Sequence, residues 1–64
     1  MTAHRKAVAL LNVGFPAEAV VARLLRSGLT SAAVGEALCT AAARVELSPE
    51  EREATLRVAA RLQG

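Results

Sequence analysis

The sequence predicts an all-α fold, a small bundle of four short helices, on three observations. Fifteen of the 64 residues are alanine, the residue that loses least on entering a helix. Apolar residues recur at helical spacing in segments separated by glycine, proline, serine or threonine. Nowhere does the chain alternate apolar and polar residues as a half-buried strand does.

The first helix is expected over roughly 3–12, with Thr2 as its cap and Ala3, Ala7, Leu10 and Leu11 on one stripe. Gly14 stands where a left-handed C-terminal cap is needed. Pro16 suits the first position of helix two, whose stripe is Ala17, Val20, Val21, Leu24 and Leu25. Ser27-Gly28 closes that helix, and Leu29 follows as an apolar plug. Thr30 is an N-cap for helix three, whose stripe is Val34, Ala37, Leu38, Ala41 and Val45. Its second half, Cys39 to Ala43, is small and apolar, a close-packing surface inside the fold or at an interface. Ser48-Pro49-Glu50-Glu51 is a capping box with proline at the first helical position. It opens a helix to about Leu62 that buries Thr55, Val58, Ala59 and Leu62 and pairs Glu53 with Arg57.

Sixty-four residues make one domain, 1–64, and a chain this short buries only about 60% of its unfolded surface. Its large apolar side chains are nine leucines, seven valines and Phe15. A core of that size supplies under about 5 kcal/mol. Self-association is the expected supplement, so the predicted partner is a second copy (a homodimer) or another protein.

The lone Cys39 forms no internal disulfide, which points to a reducing, cytoplasmic setting. His4-Arg5-Lys6 followed by an apolar run has the outline of a signal peptide. The run is short, ends in Asn12-Val13-Gly14 and lacks a small-x-small cleavage site. No segment reaches the roughly 18 apolar residues of a membrane span, so no membrane partner is expected.

Catalysis needs a nucleophile, a base and an orienting group brought together. The chain has one histidine, His4, beside Arg5 and Lys6, and one cysteine distant from it in sequence. One His with one Cys cannot hold zinc, and no glycine-rich phosphate loop is present. The sequence therefore predicts no enzyme, no cofactor and no metal.

The net charge is +2, and the basic residues are spread along the chain. His4, Arg5, Lys6, Arg23 and Arg26 would share an edge if helices one and two pack antiparallel, and such a patch could contact phosphate.

From Pro16 to Val45 the chain resembles the helix-turn-helix of LuxR-type regulators. The matched positions are Pro16, Glu18, Val21, Arg23-Leu24-Leu25, Gly28-Leu29-Thr30, Val34, Glu36, Leu38 and Val45, without a gap. The resemblance implies a helix-turn-helix-like core and a small DNA-binding regulator with Arg44 in its recognition segment; the basic positions Arg5, Lys6, Arg23 and Arg26 complete the expected DNA contacts. It departs from the family at the recognition segment, Thr40-Ala41-Ala42-Ala43-Arg44-Val45-Glu46. Ala41 replaces the family's serine there, and Arg44 is the one base-reading side chain.

Val13-Gly14-Phe15-Pro16, with Leu24, Ala33-Val34 and Leu38, also resembles ubiquitin-associated domains, which implies a compact helical binding unit. Val13 stands where that family has methionine.

The function these readings predict is a non-catalytic protein-interaction or regulatory module. Its expected interface is Leu38, Cys39, Ala42, Val45 and Leu47, and the alternative is the DNA-binding regulator.

Overall fold

A computed structural model describes residues 2–64; Met1, the first residue of the expected domain, lies outside the described residues. The elements are α1 (Ala3–Val13), α2 (Ala17–Arg26), α3 (Ser31–Arg44) and α4 (Pro49–Gln63), with no strand among the described residues. α3 is the central helix, packed chiefly against α4 on one side and α1 on the other.

Two turns are built alike. Gly14, at φ 110°, ends α1, its N–H bonding to the Leu11 carbonyl while the Phe15 N–H bonds to that of Leu10, both at 3.1 Å. Gly28, at φ 101°, ends α2 with Gly28 N–H to Leu25 at 3.0 Å and Leu29 N–H to Leu24 at 3.4 Å. Both are Schellman caps, which need a residue in the left-handed region and tie an apolar residue back onto the helix. Phe15 and Leu29 are those residues, each partly buried against the core.

The expected caps of α3 and α4 are formed. The Thr30 hydroxyl accepts from the Ala33 N–H at 3.1 Å. The Ser48 hydroxyl accepts from the Glu51 N–H at 3.2 Å, and the Glu51 carboxylate accepts from the Ser48 N–H at 3.1 Å. Two details of the N-termini differ from expectation. Thr2 occupies the N-cap position of α1, but its side chain makes no capping bond. Pro16 sits one residue earlier than expected, at the N-cap itself, because the chain is still extended there with ψ at 156°.

The core is a single cluster, and its largest fully sealed side chains are Leu24, Leu38, Val20 and Val34. Each residue of the α3 stripe, Val34, Ala37, Leu38, Ala41 and Val45, is buried. α4 contributes Thr55 and Ala59 fully and Val58 and Leu62 in part. Thr55 is a polar residue in this interior; its hydroxyl donates to the Glu51 carbonyl at 2.7 Å. On α2 the stripe is narrower than expected. Val20 and Leu24 are buried, whereas Leu25 is 40% exposed. Leu25 lies at one edge of the five-residue arc, and the packing covers the other edge, at Val20 and Leu24.

Glycine permits a close approach of α3 to α4. Gly35 is buried on the face of α3 that meets α4. A methyl group there would lie 2.9 Å from the Ala59 carbonyl oxygen and 2.7 Å from Gln63 Cγ. The backbones come that near because Gly35, without a side chain, faces Ala59 of α4.

Candidate protein-interaction site

The expected interface residues divide into two groups. Leu38, Ala42 and Val45 are buried within the chain's own core, beneath the neighbouring helices. They therefore cannot form an outward face, which corrects the expectation that this stretch of α3 offers one. Ala42 is covered because α4 folds back along α3, a contact that helical periodicity along α3 does not reveal. Cys39 and Leu47 stay partly exposed, and each lines a surface groove.

Cys39 belongs to a groove of about 220 Å³ between α3 and α4, with Ala42, Ala43, Arg52 and Leu56. Leu56, 41% exposed, is a large apolar side chain facing solvent there. Arg52 shapes the groove from within, because its guanidinium donates to the Ala42 carbonyl at 2.6 Å. That carbonyl lies in the last turn of α3, where helix geometry leaves oxygens without intrahelical partners. α3 ends at Val45 in extended conformation, without a glycine cap.

Leu47 belongs to a second groove of about 220 Å³ at the corner of the bundle. One wall is the α1–α2 connection with Leu11, Phe15 and Pro16; the other is Leu47 with Glu51 and Ala54 of α4. Val13, the last residue of α1, is 76% exposed. The Arg23 guanidinium lies over the Phe15 ring, 4.7 Å from its centroid, a cation–π contact that holds the charge on the first wall. Glu51 on the opposite wall is held below the ordinary carboxylate range by its hydrogen bonds from the Ser48 backbone and hydroxyl.

Arg5, Lys6, Arg23, Arg26 and Arg44, the expected DNA contacts, are all exposed. The ion pair found among the described residues is Arg57 with Glu53, at 2.8 Å on the outer face of α4, as the spacing predicts. Residues 40–44 are the last part of an unbroken α3, and no separate helix begins at Ala41. Arg44 therefore projects from a helix C-terminus, the end that carries negative partial charge.

His4 and Cys39 line different grooves. His4 is half-buried beside Ala33, Glu36 and Thr40 between α1 and α3, in a hollow of about 190 Å³. Cys39 faces α4. Among the described residues no three His, Cys, Asp or Glu side chains cluster as metal ligands, and no helix is long and apolar enough to cross a membrane.

Sequence reasoning missed Val13, Leu25 and Leu56 as exposed apolar residues. For Leu56 a signal existed, since it falls outside the stripe Thr55, Val58, Ala59, Leu62. The fold and its surface thus define a class, the small all-α bundle with apolar grooves at two of its helix junctions. No family model, curated protein or solved structure matches the chain.

Proposed function

We propose that this protein is a non-catalytic interaction and regulatory module that works by binding protein, with a second copy of itself as the first partner. One observation carries the reading. The sealed interior holds few large side chains, while Val13, Leu25 and Leu56 stand 76%, 40% and 41% exposed. Burying a leucine or valine side chain is worth roughly 1.5–3 kcal/mol, comparable with the whole margin of so short a chain. Association therefore supplies stability that the monomer's own core leaves unused.

Thermal melting across a hundredfold range of protein concentration tests it. A midpoint that climbs with concentration supports association, because a partner that binds only the folded state raises stability by mass action. A constant midpoint opposes it.

A second reading, a small DNA-binding regulator, rests on the five exposed cationic side chains, none within ion-pair distance of a carboxylate among the described residues. The C-terminal placement of Arg44 weighs against groove reading by α3, since phosphates favour helix N-termini. Fluorescence anisotropy of a mixed-sequence duplex decides it. Binding at low salt that weakens steeply as salt rises supports phosphate contact, and Arg44→Ala should then abolish any sequence preference. No binding at low salt retires this reading.

A further inference from the structure

We propose that α4 is a releasable cover on the rest of the bundle. It opens as one unit while α1, α2 and α3 stay folded, and its opening uncovers the α3 stripe Gly35, Cys39 and Ala42. The proposal concerns the single chain and does not rest on self-association.

The four helices share the core unevenly. The largest sealed side chains, Leu24, Leu38, Val20 and Val34, belong to α2 and α3, and α1 adds Ala7 and Leu11. α4 seals only Thr55 and Ala59; Val58 and Leu62 are partly buried and Leu56 faces solvent. Hydrophobic stabilisation grows with the apolar area withdrawn from water, and a threonine and an alanine side chain withdraw little. The close approach at Gly35 does not alter this, because backbones that meet over Gly35 and Ala59 bring few apolar side-chain atoms with them.

Polar ties across the crossing are equally few. The Thr55 hydroxyl and the Ser48–Glu51 capping box bond within α4 and its cap, and give nothing to α3. Among the described residues, the bond from Arg52 to the Ala42 carbonyl is the one side-chain hydrogen bond between the two helices. α1 lies on the far side of α3 and makes no close backbone approach to α4, and the contact of α4 with α2 is slight. α4 can therefore leave while the packing of α1, α2 and α3 remains. Val45 is sealed in the core and stays with α3, so the chain turns at Glu46 to Ser48.

What α4 covers is one face of one helix. Gly35 faces Ala59, Leu62 and Gln63, and Cys39 and Ala42 line the groove against α4. Positions 35, 39 and 42 fall on one side of α3 at helical spacing. A detached helix of 15 residues is marginal in water, so α4 loses its own amide protection as it opens.

Native-state hydrogen exchange read by NMR tests the proposal, because an element that opens below the global unfolding free energy is less protected than the rest. In the native chain the Val58 and Ala59 amides, within α4, should be protected about tenfold less than those of Leu38 and Ala41, or lower still. Arg52→Met should lower both sets by about tenfold, since global unfolding includes the opening of α4. Ala7→Gly lies on the helix that α4 does not approach. It should lower the protection of Leu38 and Ala41 by about fivefold and leave Val58 and Ala59 unchanged. Val8→Ala, at a partly buried position of the same helix, takes its place if Ala7→Gly does not fold. Three results would each overturn the proposal: equal protection in α3 and α4, an α4 whose protection falls with the α1 variant, or an α4 indifferent to Arg52→Met.

Discussion

The Arg52 guanidinium donates a 2.6 Å hydrogen bond to the carbonyl of Ala42, ten residues earlier and on another helix. α1 and α2 close in turns at Gly14 and Gly28, and α3 has no such glycine. It ends because Val45 turns extended ahead of the α4 capping box, and its last carbonyls stay open. Arg52 reaches back from the first turns of α4 and satisfies one of them. The same bond pins the start of α4 to the end of α3, fixing the angle between the two most extensively packed helices.

Arg52→Met keeps most of the stem's apolar contact and removes the donor. Hydrogen bonds from charged groups contribute about 1.5–3 kcal/mol, and partial exposure places this one near the lower figure. Urea unfolding should show a loss of about 1.5 kcal/mol, and an unchanged midpoint would mean that water replaces the bond without cost.

Gly35→Ala should destabilise although alanine is the better helix former. The added methyl meets the Ala59 carbonyl at 2.9 Å, so α3 and α4 must part. Overpacking of this kind costs about 1–3 kcal/mol, more than the roughly 1 kcal/mol that replacing glycine in a helix returns. A more stable variant, measured by thermal melting, would show that the crossing is looser than described.

The capping box gives stability a pH dependence of known sign. Hydrogen bonds from Ser48 hold the Glu51 carboxyl below its ordinary value of 4.5. A group whose folded pKa is depressed adds stability that is complete above the unfolded value and fades as pH falls through the folded one. Stability should therefore decline on acidification below about 4.5. In Glu51→Gln, which keeps an acceptor and does not titrate, that part of the decline should vanish. Denaturant titrations at several pH values check this, and parallel curves for both proteins would remove the assignment.

Leu24→Ala and Leu56→Ala should separate core from surface. Leu24 is sealed in the interior and Leu56 faces solvent. The first should cost about 2–5 kcal/mol, the second within about 0.5 kcal/mol for the folded monomer. Equal losses would mean that Leu56 is covered in solution.

Much of the fold was legible because its signals are local. Thr30, Ser48 with Glu51, and the two turn glycines act on backbone groups within a few residues, and each formed the cap or turn expected of it. The stripe from Val34 to Val45 was equally legible, since a central helix buries whatever recurs at its period. What stayed hidden depends on neighbours. Ala42 looked like surface because alanines surround it, and only the return of α4 decides which of them is covered. Leu25 looked buried because the α2 stripe says nothing of how far the packing helices reach. The corner groove joins residues near 15 with residues near 50, and helical periodicity carries no information over that separation.

The most direct test of the central claim, that this chain completes its stability by pairing with itself, is sedimentation equilibrium of the native protein at micromolar to millimolar concentration. The account predicts a reversible rise to twice the 6.6 kDa chain mass. A single 6.6 kDa species across the whole range would contradict it.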